Sequence, residues 1–126
     1  MNVIDSSGWL EYFADGPNAT FFAPAIEDID NLIVPSITLF EVYKRALVQR
    51  NIEAARASIL RMTEGRVITL NEQLAVEAAQ FSWQHKLSLA DSIIYATARF
   101  SQSILWTQDA DFKDLIGVQY REKHKD

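Results

Sequence analysis

A chain of 126 residues, 48% hydrophobic and 23% charged, is long enough to bury a core and too apolar to be disordered, and it reads as one domain over residues 1–126. The absence of cysteine excludes disulfides, thiolate nucleophiles and thiolate metal sites. The net charge of −5 would ordinarily argue against a nucleic-acid partner, but that charge is unevenly spread.

The N-terminus, MNVIDSS, lacks a basic segment followed by a long apolar run, and no other stretch has the apolar length of a membrane span. A soluble, unexported, cytoplasmic protein is expected. Asn2 to Ile4 is a short apolar strand ending at Asp5, and Ser6, Ser7 and Gly8 turn the chain into a helix with Trp9, Leu10, Tyr12 and Phe13. Gly16, Pro17 and Asn18 punctuate before a second helical segment from Ala19 to Asn31. Leu32 to Val34 forms a brief strand closed by Pro35 and Ser36.

From Thr38 to Arg50 the residues Leu39, Phe40, Val42, Tyr43, Ala46 and Leu47 recur with helical period, leaving Glu41, Arg45 and Val48 on the other side. A helix from Ile52 to Thr63 stops at Gly65 and leads to a strand from Val67 to Leu70. Asn71 or Thr69 then caps a helix with Leu74, Ala78, Phe81 and Trp83 as its inward stripe. The stretch SLADSIIYATARFSQSILWTQDADF follows, with Asp91 in the first turn of a helix to Phe100 and Asp109 and Asp111 just after the strand Ile104 to Trp106. A strand from Gly117 to Tyr120 precedes the charged tail Arg121 to Asp126. Strands alternating with helices predict an α/β fold on a parallel sheet.

Residues 1–40 carry six acids and no Lys or Arg, whereas residues 41–66 carry six bases and three acids. This basic island, with Lys44, Arg45, Arg50, Arg56, Arg61 and Arg66, is suited to a polyanion beside an acidic site, although each residue singly also fits a solvated helix face. Asp5, Glu41, Asp91 and Asp109 all fall at element ends that open on one edge of a parallel sheet, where ligands bind. Oxygen ligands around an open site suit Mg²⁺ or Mn²⁺, and such an ion supports phosphodiester cleavage. Each acid also has a purely structural use. Thr38 to Glu41 and Ser88 to Asp91 fit the capping box, Asp5 suits an N-cap, and Asp109 suits an Asx turn. Capping, however, does not require all four on one edge.

Val3, Ile4, Asp5 and Ser6, then PSITLFE over 35–41, then LSLADSIIYATA, then WTQDADF together resemble the PIN-domain ribonucleases, most closely the VapC toxins of toxin–antitoxin pairs. The resemblance runs over nearly the whole chain. It implies an α/β/α sandwich with a central parallel sheet of four to five strands, a Mg²⁺ or Mn²⁺ cofactor and endonucleolytic cleavage of RNA. It also implies a small antitoxin partner and a homodimer. Its acidic positions fall on Asp5, Glu41, Asp91 and Asp109, with Asp5, Asp91 and Asp109 on the metal and Asp111 as an accessory. Ser6 and Thr107 match supporting hydroxyls, while Ser7 and Gly8 stand where relatives often carry Asn or Val. Lys44, Arg45 and Arg50 are the expected RNA contacts.

His85, near a helix C-terminus, and His124, in the tail, receive no catalytic role. Trp9, Tyr12, Phe13, Phe21 and Phe22 read as core aromatics, some of them shared with a partner groove. Two other function classes compete. A noncatalytic binding module would keep the acids as caps, and a haloacid-dehalogenase-like phosphatase would need a second Asp where Ser7 stands.

Overall fold

The computed structural model describes residues 1–124; of the charged tail, Lys125 and Asp126 lie outside the described residues. Five strands, β1 (Asn2–Ile4), β2 (Leu32–Pro35), β3 (Arg66–Ile68), β4 (Ile104–Thr107) and β5 (Val118–Tyr120), form one sheet in the order β3-β2-β1-β4-β5. Every neighbouring pair is parallel. Six helices accompany them: α1 (Ser6–Phe13), α2 (Ala19–Glu27), α3 (Ser36–Gln49), α4 (Ile52–Met62), α5 (Glu72–His85) and α6 (Leu89–Phe100). The α/β/α expectation is met, with the larger of the two expected strand counts. Among the described residues no helix is long and apolar enough to cross a membrane.

Side-chain alternation along the strands divides the core into two layers. Ile4, Leu32, Val34 and Trp106 pack with Trp9, Phe22, Ile26, Val42 and Met62 on one face. Val3, Ile33 and Leu105 pack with Ile94, Tyr95, Ala98 and Phe112 on the other. Leu74, Ala78, Ile93 and Ala96 extend that second layer between α5 and α6. Strands buried on both faces have no polar side to show, so they read as apolar runs. Gly8 lets α1 approach closely, since a Cβ there would lie 2.6 Å from Ile4 Cγ2 and 2.7 Å from Phe22 Cε1.

Helix starts follow side-chain chemistry. The oxygens of Asp5, Asn51, Asn71 and Ser88 accept from the backbone N–H of Gly8, Ala54, Leu74 and Asp91, the last at 3.2 Å. Asn71 rather than Thr69 is thus the cap of α5. Several expected features differ. The second helix ends at Glu27, the chain turns at Asp28, and Ile29–Asn31 form a single 3-10 turn while the Asn31 amide donates to the Asp28 carboxylate. Strand β3 starts at Arg66 and stops at Ile68, so Thr69 and Leu70 lie beyond it. Trp83 is 80% exposed and Phe40 61%, and Leu47 is exposed as well. Only the Thr38, Val42, Ala46 side of α3 and the Leu74, Ala78 side of α5, the latter against α6, are fully buried, so apolar residues turned off those stripes face solvent.

Candidate active site

Strand β1 connects to β2 on one side and is flanked by β4 on the other, so the chain reverses its direction of progress across the sheet between β1 and β4. Ligands bind at such a switch point, outside the C-terminal ends of the strands. Asp5 follows β1 and Asp109 follows β4, one on each side of that crevice. Helices α3 and α6 add Glu41 and Asp91. A cleft of about 540 Å³ there is lined by Asp5, Ser6, Ser7, Glu41, Asp91 and Asp109, with Lys44 and Arg45 along its rim. All four expected catalytic acids therefore share one cavity.

Asp5 is only 2% exposed. Its carboxylate accepts the Gly8 N–H at 2.9 Å, the Thr107 hydroxyl at 2.7 Å and the Ser7 hydroxyl at 2.9 and 3.0 Å. Loss of hydration pushes the Asp5 pKa up to about 7; the nearby Asp109 charge adds to the rise, and the three hydrogen bonds pull against it. Thr107 also joins two acids, since its hydroxyl donates to Asp5 Oδ2 and accepts the Asp109 N–H at 2.8 Å. Asp109 in turn accepts the Asp111 N–H at 2.9 Å, closing an Asx turn that starts the short 3-10 segment Ala110–Phe112.

Glu41 accepts the Ser6 hydroxyl at 2.6 Å, which ties α3 to the start of α1. It stands in the second turn of α3, not the first, because the helix already begins at Ser36. The Thr38 hydroxyl donates to Pro35 O at 2.7 Å, so Thr38 and Glu41 form no capping box. Asp91 does lie in the first turn of α6, where Ser88 caps its backbone N–H. Desolvation and then repulsion from Asp109 raise the Asp91 pKa to about 6, with smaller contributions from Glu41 and Asp111, while the Ser88 hydrogen bond opposes them.

Among the described residues, Asp91, Asp109 and Asp111 offer one oxygen each within 4.8 Å of one another. Ligands about 2.1 Å from a shared Mg²⁺ lie about 3 to 4 Å apart, so these hard oxygen donors fit such an ion with a small adjustment. Of the metal trio expected from sequence, Asp5, Asp91 and Asp109, the latter two belong to this group. Asp111, expected as an accessory, joins Asp91 and Asp109 in that group, while buried Asp5 accepts from its three donors. Arg50 is exposed at the C-cap of α3 and does not line the cleft.

Ser7, not among the site residues expected from the sequence, lines the cleft and donates to Asp5. The signal was present, since a hydroxyl two residues after a capping Asp can bond back to it. The same hydroxyl occupies the place where a phosphatase of the haloacid-dehalogenase type would need its second Asp. His85 ends α5 and stacks on Phe81 with ring centroids 6.2 Å apart, away from the cleft. Trp9 and Phe22 are fully buried core residues.

The chain matches the PIN domain family over residues 3–117. No curated protein sequence matches it. Among solved structures it is similar to a toxin–antitoxin complex from Klebsiella pneumoniae, at 23% identity over 94% of this chain and 96% of that one, with a TM-score of 0.78. A similar likeness holds for VapC20 of Mycobacterium tuberculosis, described as a sarcin–ricin loop cleaving toxin, at 18% identity over 94% and 97% with a TM-score of 0.78. FitAcB from Neisseria gonorrhoeae is 21% identical over 94% and 96%, with a TM-score of 0.69. These likenesses show the fold, and the family match runs from β1 to the residue before β5 and includes every acid of the cleft. The chain belongs to the PIN-domain family.

Proposed function

We propose that this protein is a Mg²⁺- or Mn²⁺-dependent endoribonuclease that acts as the toxin of a toxin–antitoxin pair. The observation that carries the reading is the convergence of Asp91, Asp109 and Asp111 oxygens at the sheet's switch point, where Asp91 and Asp109 line a cleft with Lys44 and Arg45. A divalent ion bound there would supply an activated water and neutralise charge that builds up on the phosphate. The protein's own groups do the rest. Lys44 and Arg45 attract the RNA backbone to an edge that is otherwise acidic, with Arg50 one helical turn or more beyond them. Thr107 and Ser7 hold Asp5, and Ser6 holds Glu41, through hydrogen bonds to their carboxylates.

The partner assignments are part of the same proposal. The similar structure from Klebsiella pneumoniae is a toxin–antitoxin complex, which supports a small antitoxin as this chain's partner. A homodimer is supported by the exposed Trp83 and Leu89, which with Leu70 line an apolar groove between α5 and α6. With RNA as substrate, the cytoplasm is the proposed compartment.

End-labelled total RNA incubated with the purified protein tests the activity. Discrete cleavage with Mg²⁺ or Mn²⁺, arrest by EDTA, recovery on added Mn²⁺, and loss in Asp109→Asn are expected. Cleavage that persists undiminished in excess EDTA contradicts the metal site, and no cleavage under any condition favours the noncatalytic binding module.

A further inference from the structure

Beyond β5 the chain turns back toward the acids. The Arg121 N–H donates to Thr107 O at 3.1 Å, and Glu122 O accepts from Asn18 Nδ2 at 3.0 Å. Asn18 is fully buried, and the same amide donates to Gln108 Oε1 at 3.0 Å. Gln108 sits between Thr107 and Asp109, and its own amide reaches Ser7 O at 3.4 Å. One buried asparagine thus ties the segment after β5 to the residues that frame Asp5 and Asp109.

This places a second cavity, of about 520 Å³, against the cleft. The two share Ser7 and Asp109 in their walls, so they adjoin at those residues. The second is lined by Tyr120, Glu122 and Lys123 and by none of Lys44, Arg45, Glu41 or Asp91. Lys123 is its one cation among the described residues and has no ion-pair partner there, whereas Arg121 is turned onto the Phe21 ring at 4.9 Å. Tyr120 adds an aromatic wall, with Lys113 Nζ 5.9 Å from the ring centroid. A single strand crossing a ring of carboxylates needs cations on both exits, and an aromatic face beside a lysine suits unpaired bases.

We propose that the Tyr120–Lys123 segment, tethered by Asn18, is the second wall of the substrate groove, and that Lys123 holds a phosphate of single-stranded RNA on the far side of Asp109 from Lys44 and Arg45. The inference rests on the endoribonuclease reading and extends it to the path of the strand. Lys123 is a binding residue, and the hydrolytic step is left to the acids.

The test measures binding of a labelled single-stranded oligoribonucleotide over a range of salt concentrations, with Ca²⁺ in place of Mg²⁺, and cleavage separately with Mg²⁺. Each phosphate contact on a single strand contributes about 0.7 to the slope of log affinity against log salt. Lys123→Ala should lower the slope by about that amount, Lys123→Arg should retain it, and in cleavage KM should rise while kcat holds. Shortening the RNA from one end should abolish the Lys123→Ala effect and keep that of Arg45→Ala; shortening it from the other end should do the reverse. An unchanged slope in Lys123→Ala, or equal responses of both variants to shortening from either end, overturns the proposed path. A protein that binds with these slopes but cleaves no RNA sinks the nuclease reading and leaves the groove standing.

Discussion

Asp5 shows how one residue serves structure and chemistry together. Its carboxylate caps α1 through Gly8 and also faces the cleft, so the local signal for a cap and the signal for a site are the same atoms. Burial sets its proton affinity, and with it the stability of the metal-free protein. An Asp whose pKa is near 3.8 when unfolded and about 7 when folded binds more protons in the folded state, so stability present at low pH is lost as pH rises through 7. Asp91, raised to about 6, acts in the same direction. At about 1.4 kcal/mol per pH unit, Asp5 alone accounts for roughly 4 kcal/mol. In EDTA the melting temperature should therefore fall from pH 5 to about pH 7 and level off above it. With Mg²⁺ present the decline should shrink or reverse, because binding requires deprotonated carboxylates and grows with pH. A melting temperature in EDTA that stays level over this range would show that these carboxyls are not raised.

The start of α6 separates a helix cap from a site. Ser88 supplies the cap, accepting the Asp91 N–H, while the Asp91 carboxylate turns toward Asp109 and Asp111. Ser88→Ala should cost about 0.5 to 2 kcal/mol with or without metal, as cap loss does. Asp91→Asn should leave the metal-free protein as stable as before or more so at pH 7.5, since it removes one of several crowded like charges. It should also abolish stabilisation by Mg²⁺ and RNA cleavage. Paired thermal melts of the two variants, in EDTA and in Mg²⁺, compare the effects directly. An Asp91→Asn protein that is destabilised in EDTA as strongly as Ser88→Ala would make Asp91 a structural acid. The element scale also explains Glu41: because α3 begins at Ser36, Glu41 comes one turn later and turns toward Ser6 rather than toward its own N-terminus.

At the scale of the whole molecule, the strand order brings four separate stretches to one edge and leaves apolar surface uncovered. An acid ring flanked by cations is a nuclease only if RNA reaches it, and a partner protein that covers the edge would silence it. Expression of the chain alone is accordingly expected to arrest growth, and co-expression of a small protein encoded beside it should relieve the arrest. Asp109→Asn should not arrest growth. Arrest by Asp109→Asn as strong as by the unchanged chain, at matched protein level, would detach toxicity from this site.

Much of this could be read in the sequence because it rests on local physics. Apolar runs bounded by Asp, Pro and Gly mark strands buried on both faces, and the 3.6-residue period with Asn or Ser caps marks helices. The order of elements, the parallel sheet and the placement of Asp5, Asp91 and Asp109 at element ends follow from these signals alone. What the sequence could not settle depends on which elements become neighbours. Phe40, Leu47 and Trp83 have helical spacing but lie outside the stripes that pack into the core. The convergence of Asp111 with Asp91 and Asp109 needs the seating of α6 beside the turn after β4. The return of Lys123 to Asp109 needs a buried Asn18 that is 104 residues from its Glu122 partner. Periodicity and capping are decided within a few residues, whereas these contacts are decided by long-range packing, and only the tertiary structure contains it.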